Sequence, residues 1–261
     1  MVRNETIPTL VDESQPPVQL AGSSAVMAGG YNLLGQRLGR KGQETRERIL
    51  VTALRLIEAS SKDAPVTLTS VARDASVGMT TLYLYFPNLG DLVLAVLTRV
   101  MDCADSAFVD RLRARWPDDG LGASAQGFIR AHYQFWRRNS RILHLRNSFE
   151  DAGDARFLHY RNRVSRPLIE LLILQMDGVL EPMNSPAGNI ATVLTTGFER
   201  LATITTNPIF FTNLRDIGVP DVQAYIDDLL NAEAELIALA VRHHRDKATG
   251  PSERDNAKNL T

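Results

Sequence analysis

Apolar residues recur along most of this chain at three- and four-residue intervals, and nowhere do they alternate in twos between hairpin turns. Ile49, Leu50, Ala53, Leu54 and Ile57 share one face of a helix predicted from about Glu44 to Ser60, with Arg46, Arg48, Arg55 and Glu58 on its other faces. The run from Ser60 to Pro65 breaks it. Thr67 is placed to cap a short second helix that carries Leu68, Val71, Ala72 and Ala75 on one side. A turn at Ser76-Val77-Gly78 leads into a third short helix, Met79 to Tyr85, which Pro87 stops. Asn88 then caps a long fourth helix through Leu92, Val93, Val96 and Val100. After the break at Trp116-Pro117-Asp118-Asp119-Gly120, helices are predicted at about 123–138, 141–150, 154–177, 186–206 and 221–244. The expected fold class is all-α.

Two short helices joined by a tight turn form the helix-turn-helix used to read DNA, although many helical folds contain such a pair. The net charge of −1 does not itself point to nucleic acid. Its distribution says more: residues 33–99 hold nine Lys/Arg against six Asp/Glu, and Arg37, Arg40, Lys41 and Arg46 crowd the start of the first helix. Residues 1–40 are rich in Pro, Gly, Ser and Gln without a period and read as a flexible arm; residues 245–261 read as a flexible tail. Cys103 is the only cysteine, which excludes an intrachain disulfide. No compact apolar leader stands at the start, and the apolar run Leu168–Leu174 is too short to span a bilayer. A cytoplasmic location without a membrane partner is expected.

The specific signal is the run from Val66 to Leu92, with Val66-Thr67-Leu68 and Val71-Ala72 preceding Thr81-Leu82-Tyr83-Leu84-Tyr85-Phe86 and a new helix start. Over about residues 44–97 this resembles the TetR family of transcriptional regulators. The resemblance implies an N-terminal three-helix DNA-binding domain, at 41–90, and a C-terminal helical domain, at 91–244, that binds a small-molecule effector and dimerises. Three positions depart from the family pattern: Ser76 stands where the turn usually has glycine, Leu89 where a phosphate-contacting lysine is common, and Gly90 where an acid is usual.

At 100° per residue, Met79, Leu82 and Phe86 face inward, so Thr80, Thr81 and Leu84 point towards a major groove, with Tyr83 and Tyr85 flanking them for phosphate contacts. This helix has no Arg, Lys, Asn or Gln, so bidentate base contacts are unavailable and recognition leans on threonine, methyl contacts and DNA shape. Positive charge from Lys41 and Arg46, with Arg37 and Arg40, is expected to grip the backbone. The resemblance adds Thr67 and Thr69 to the DNA-contacting set.

In the second half, Phe128, His132, Phe135, Trp136, Phe149, Phe157, Tyr160 and Phe198 are the candidate effector-binding residues, suiting a hydrophobic or aromatic molecule. They could equally fill a core. The apolar faces of the last two helices, Ile190, Val193, Leu194, Gly197, Phe198 and Leu201 on one and Val222, Tyr225, Ile226, Leu229, Ile237 and Ala240 on the other, are candidates for a homodimer interface, or are buried within one subunit. His-Glu-x-x-His, phosphate-binding glycine loops and Gly-x-Ser-x-Gly are all missing, and the five histidines lack metal-ligand spacing. No enzyme activity, cofactor or metal is expected. The partners expected are operator double-stranded DNA, a small-molecule effector and a second copy of the chain. The function read from the sequence is a ligand-released transcriptional repressor; a helical interaction protein with a weakened DNA-binding module, or an activator of the same fold, remains as alternative.

Overall fold

A computed structural model describes residues 30–60 and 65–249. Among them the architecture is all-α, with no β-strand. The elements are α1 Arg40–Ala59, α2 Leu68–Asp74, α3 Met79–Tyr83, α4 Leu89–Met101, α5 Ala104–Ala107, α6 Leu121–Arg138, α7 Ser140–Asp151, α8 Ala155–Asp177, α9 Pro186–Thr205, α10 Pro208–Asp216 and α11 Val222–Thr249, with single 3-10 turns at Val109–Leu112 and Asp118–Gly120.

The apolar stripe that predicts α1 is buried: Ile49, Leu50, Ala53 and Ile57 pack inward. The helix begins at Arg40 rather than Glu44, because its first turn carries no apolar period to announce it. Conversely, α3 stops at Tyr83, and Leu84 and Tyr85 form a turn. α10 has no counterpart in the sequence reading, which places no helix between 206 and 221; Asn207 and Pro208 start one there, the Asn207 side chain accepting from Ile209 N. α8 ends at Gly178, whose φ of 72° is open to glycine without steric cost.

α11 lies along α6, α8 and α9, and α9 packs on α8 and α6. α7 touches α1 and α4 as well as α8, so this one helix joins the two halves. Several dimer-face candidates are therefore spent inside the subunit. Leu194, Phe198, Val222, Ile226 and Ile237 are buried, while Ile190, Val193, Tyr225, Leu236 and Leu239 stay exposed.

The tail does not begin at 245. α11 runs to Thr249, and Arg245 is buried, its Nε donating to Gln175 O at 2.9 Å and its Nη1 to Trp116 O at 2.9 Å, with a further contact to Asp118. Gln175 completes the clasp, its amide donating to Leu112 O (2.8 Å) and Ala114 O (2.7 Å) and its Oε1 accepting from Trp116 N (3.0 Å). A polar stretch at a helix end reads as fraying; here it reaches back to satisfy carbonyls of an irregular segment.

The aromatic residues taken as effector contacts form a core. Phe128, His132, Phe135, Trp136, Phe157, Tyr160 and Phe198 are all buried, and Phe149 stacks on Phe157 at 4.6 Å. His132 sits edge-on between Phe108 (5.0 Å) and Phe198 (4.7 Å), and burial pushes its pKa down to about 3. A void of about 20 Å³ touches His132, Phe135 and Trp136.

Replacing Arg245 by Leu leaves the Gln175 and Trp116 carbonyls without their charged donor, and urea unfolding should show a loss of about 2–4 kcal/mol. For His132 the folded chain refuses a proton that the unfolded chain accepts below its ordinary pKa of 6.5. Its contribution is therefore complete above pH 6.5 and is lost progressively as pH falls towards about 3, at about 1.4 kcal/mol per unit. In His132→Leu the difference in unfolding free energy between about pH 7 and pH 5 should shrink by that slope; an unchanged difference would refute the assignment.

Candidate nucleic-acid interface and junction cavity

The third helix is presented by what lies beneath it. Leu82 and Phe86 are fully buried against Val71, Ala72 and Ala75 of the preceding helix and the buried stripe of α1. Thr67 caps α2 by accepting from Ser70 N at 3.1 Å, and Ser70 returns the bond to Thr67 N, a reciprocal cap. The turn passes through Ser76 at φ 52°, the left-handed conformation that usually selects glycine; Gly78 has an ordinary φ of −70° and does not take over that role. Arg48 Nε donates to Ala75 O at 3.0 Å and holds the turn to α1. Asn88 caps α4, its side chain accepting from Asp91 N at 2.9 Å.

This leaves Thr69, Thr80, Tyr83 (46% exposed) and Leu84 on the surface, with Thr81 half-buried beside them. Tyr85 is a correction: at 9% exposure it belongs to the core, because the chain leaves the helix after Tyr83 and turns this ring towards Gly42 of α1. Arg46 is half-buried, with its guanidinium over the Phe86 ring at 5.4 Å, and burial lowers its pKa. Lys41, Arg37 and Arg40 are exposed, Arg40 facing Glu44 at 3.6 Å. Arg73 and Arg55 instead converge on Asp74 at 3.1 and 3.0 Å, and these hydrogen bonds hold its carboxyl below the usual range.

Residues 30–39, assigned to the flexible arm, are tied to the recognition helix. Tyr31 and Arg37 pair across a tight turn, Asn32 Oδ1 accepts from Leu34 N and Gln36 N at 3.0 Å each, and Leu33 N donates to Leu84 O at 2.9 Å. Leu38 is buried, while Tyr31, Leu33, Leu34 and Arg37 stay exposed beside Leu84. Residues 1–29 of the expected arm and 250–261 of the tail lie outside the described residues. The signal for this strap was the Asn32 side chain, which can close a turn on its own backbone.

A cavity of about 1400 Å³ opens where the two halves meet. Ile57, Ser60, Pro65, Val66 and Leu89 wall it from the side of the N-terminal helices; α7, α8, α9 and the start of α10 supply the rest. None of the eight aromatic candidates lines it. The lining is rich in polar groups that sequence reading passed over, among them Arg146, Glu150, Arg161, Thr195 and Glu199. His144 Nε2 lies 3.1 Å from Thr206 Oγ1, and burial lowers its pKa. These residues carry no apolar period, so in sequence they resemble solvated helix faces.

From the far end of α7 a charged latch reaches the DNA-binding half. Arg156, at the start of α8, binds Asp154 (2.6 Å) and Asp91 in the first turn of α4 (2.7 Å). Gly90 makes room for it: a Cβ there would stand 2.6 Å from Arg156 Nη2. The departure from an acid at position 90 thus has a local cause, while Asp91 supplies the carboxylate one residue later.

Among the described residues no group of three or more His, Cys, Asp and Glu is arranged to hold a metal ion, and no helix is long and apolar enough to cross a membrane. No protein-family model matches the chain, and no curated protein matches it. Among solved structures, a TetR-family transcriptional regulator from Streptomyces coelicolor is similar, with a TM-score of 0.55 at 20% identity, covering 85% of this chain and 97% of that one. At that identity the likeness is one of fold: the chain has the all-helical fold of the TetR-family transcriptional regulators.

Proposed function

We propose that this protein is a homodimeric transcriptional repressor that holds operator DNA through α2 and α3 and is released when a small molecule enters the junction cavity. The observation that carries the reading is the surface around α3: Thr80 and Tyr83 are exposed on a helix whose Leu82 is locked in the core, and Leu84 is exposed in the turn that follows it. An exposed face of threonine, tyrosine and leucine has no packing role, and its groups match thymine methyls, base edges and phosphates. Thr67, Thr69 and Thr81 border it, and Lys41 and Arg37 supply charge for the backbone. Arg46 serves first as a support for Phe86.

Two recognition helices must be held one turn of DNA apart, which requires a second copy. α9 and α11 meet where Glu233 approaches Gly197, 3.0 Å from the place of a Cβ there, and burial raises the Glu233 pKa. Val193 (67% exposed), Ile190, Leu236 and Leu239 remain on these helices without an intramolecular partner and suit a symmetric four-helix contact. The cavity touches Ile57, Val66 and Leu89, so an occupant bears directly on α1 and α4.

In fluorescence anisotropy with duplex from upstream of its own gene, two protomers should bind selectively over scrambled DNA. Thr80→Ala combined with Tyr83→Ala should weaken selective binding at least about tenfold without lowering the unfolding temperature. Equal binding to both duplexes would refute the reading. Val193→Glu with Leu236→Glu should convert the particle in light scattering to a monomer of 28.9 kDa and abolish operator binding; an unshifted dimer would place the interface elsewhere.

A further inference from the structure

We propose that the junction cavity binds a small organic carboxylate, with the acid group seated on Arg146 and the remainder directed towards the apolar wall of the DNA-binding half. Arg146 is 3% exposed, yet it has no ion pair with a carboxylate among the described residues. One face of its guanidinium lies over Trp136 at 5.4 Å. Its Nε and Nη2 both donate to the same neutral acceptor, Asn147 Oδ1, at 3.1 and 3.0 Å. The two acids whose charge it feels are engaged elsewhere: Glu199 accepts from Ser165 at 3.1 Å, and Glu150 pairs with Arg161 at 3.1 Å. A buried guanidinium without a bidentate acceptor is costly, and such groups persist where a ligand completes them.

Two further buried atoms of the lining lack partners: a hydroxyl, which can donate to an acid, and a carboxylate oxygen, which asks the ligand for a donor of its own such as a hydroxyl. Thr195 Oγ1 is buried, lines the cavity and has no hydrogen-bond partner. Glu150 Oε2 is likewise buried in the lining without a donor. The site thus offers unused donors on Arg146, a hydroxyl, and one unused acceptor. Charge limits the ligand further. Arg141, Arg146, Arg161 and Arg200 stand against Glu150, Asp151 and Glu199, so one positive charge is left over with His144 neutral. A monoanionic carboxylate matches this; a dianionic phosphate would face Glu199 and Glu150 uncompensated. Ile57, Val66 and Leu89 suit the apolar part of such an acid.

This proposal deepens the regulator reading, but the binding step can be tested without DNA. Trp136 reports on Arg146, so tryptophan fluorescence of the full chain is titrated with mandelate, benzoate and hexanoate, each beside its neutral amide, at constant ionic strength. At least one acid should bind with a Kd below about 1 mM and its amide at least about tenfold more weakly. Arg146→Met should lose the response to the acid while unfolding at the same or a higher temperature, and Arg146→Lys should weaken it at least about tenfold. Equal binding of acid and amide, equal responses in the wild type and Arg146→Met, or no response to any acid at about 10 mM would overturn the proposal. An acid that binds through Arg146 but leaves operator affinity unchanged would uphold it and refute the repressor mechanism instead.

Discussion

The constraint on which the rest of this protein depends is the burial of α4 on every side. All residues from Leu92 to Leu97 are buried, so this helix has no solvent face along its middle. It packs against α1 and α7, and it starts three residues after Phe86, the buried residue that follows α3. A helix gripped this way cannot tilt or slide without carrying its neighbours, because close-packed interiors move between discrete arrangements rather than deforming smoothly. The Asn88 cap and the Arg156–Asp91 pair fasten its first turn to the corner between α7 and α8. Mechanical continuity between cavity and DNA-binding face is therefore short: α7 lines the one and touches both helices that support the other.

The electrostatics of the DNA-binding face follow from how its cations are used. Arg46 lies over Phe86, Arg48 holds the turn through Ala75 O, and Arg55 and Arg73 share Asp74. These arginines build the domain before they serve any ligand. What is left for phosphates is concentrated at Arg37, Arg40 and Lys41, beside the strap that hydrogen-bonds to Leu84. The proposed contact with DNA would draw modestly on counterion release and lean on the fit of side chains to the groove.

The C-terminal half separates two things that look alike in sequence. Phe128, His132, Phe135 and Trp136 recur at helical spacing, and that periodicity marks a face turned away from water, whether the space it meets is filled or empty. Here it is filled, and His132 remains neutral inside it. The open volume lies instead beside polar groups of α7, α8 and α9, where Arg146, Glu150 and Thr195 come from helix faces that read as solvated. The aromatic candidates thus belong to the packed core, while the open volume is lined by other residues.

Local rules sufficed for much of the chain. Apolar period, the Thr67 and Asn88 caps, and the break before Pro87 determined the all-helical class, the order α1 to α4 and the outward face of Thr80 and Leu84, since each depends on residues within a turn or two of one another. Tertiary structure alone decided the rest. It turned Tyr85 inward, folded residues 30–39 against Leu84, drew Arg245 into a clasp with Gln175 and placed the cavity between helices far apart in sequence. The physical reason is the same in each case: a hydrogen bond or void formed by residues distant along the chain leaves no periodic trace in any one segment, whereas a helix writes its face into every window of its own residues.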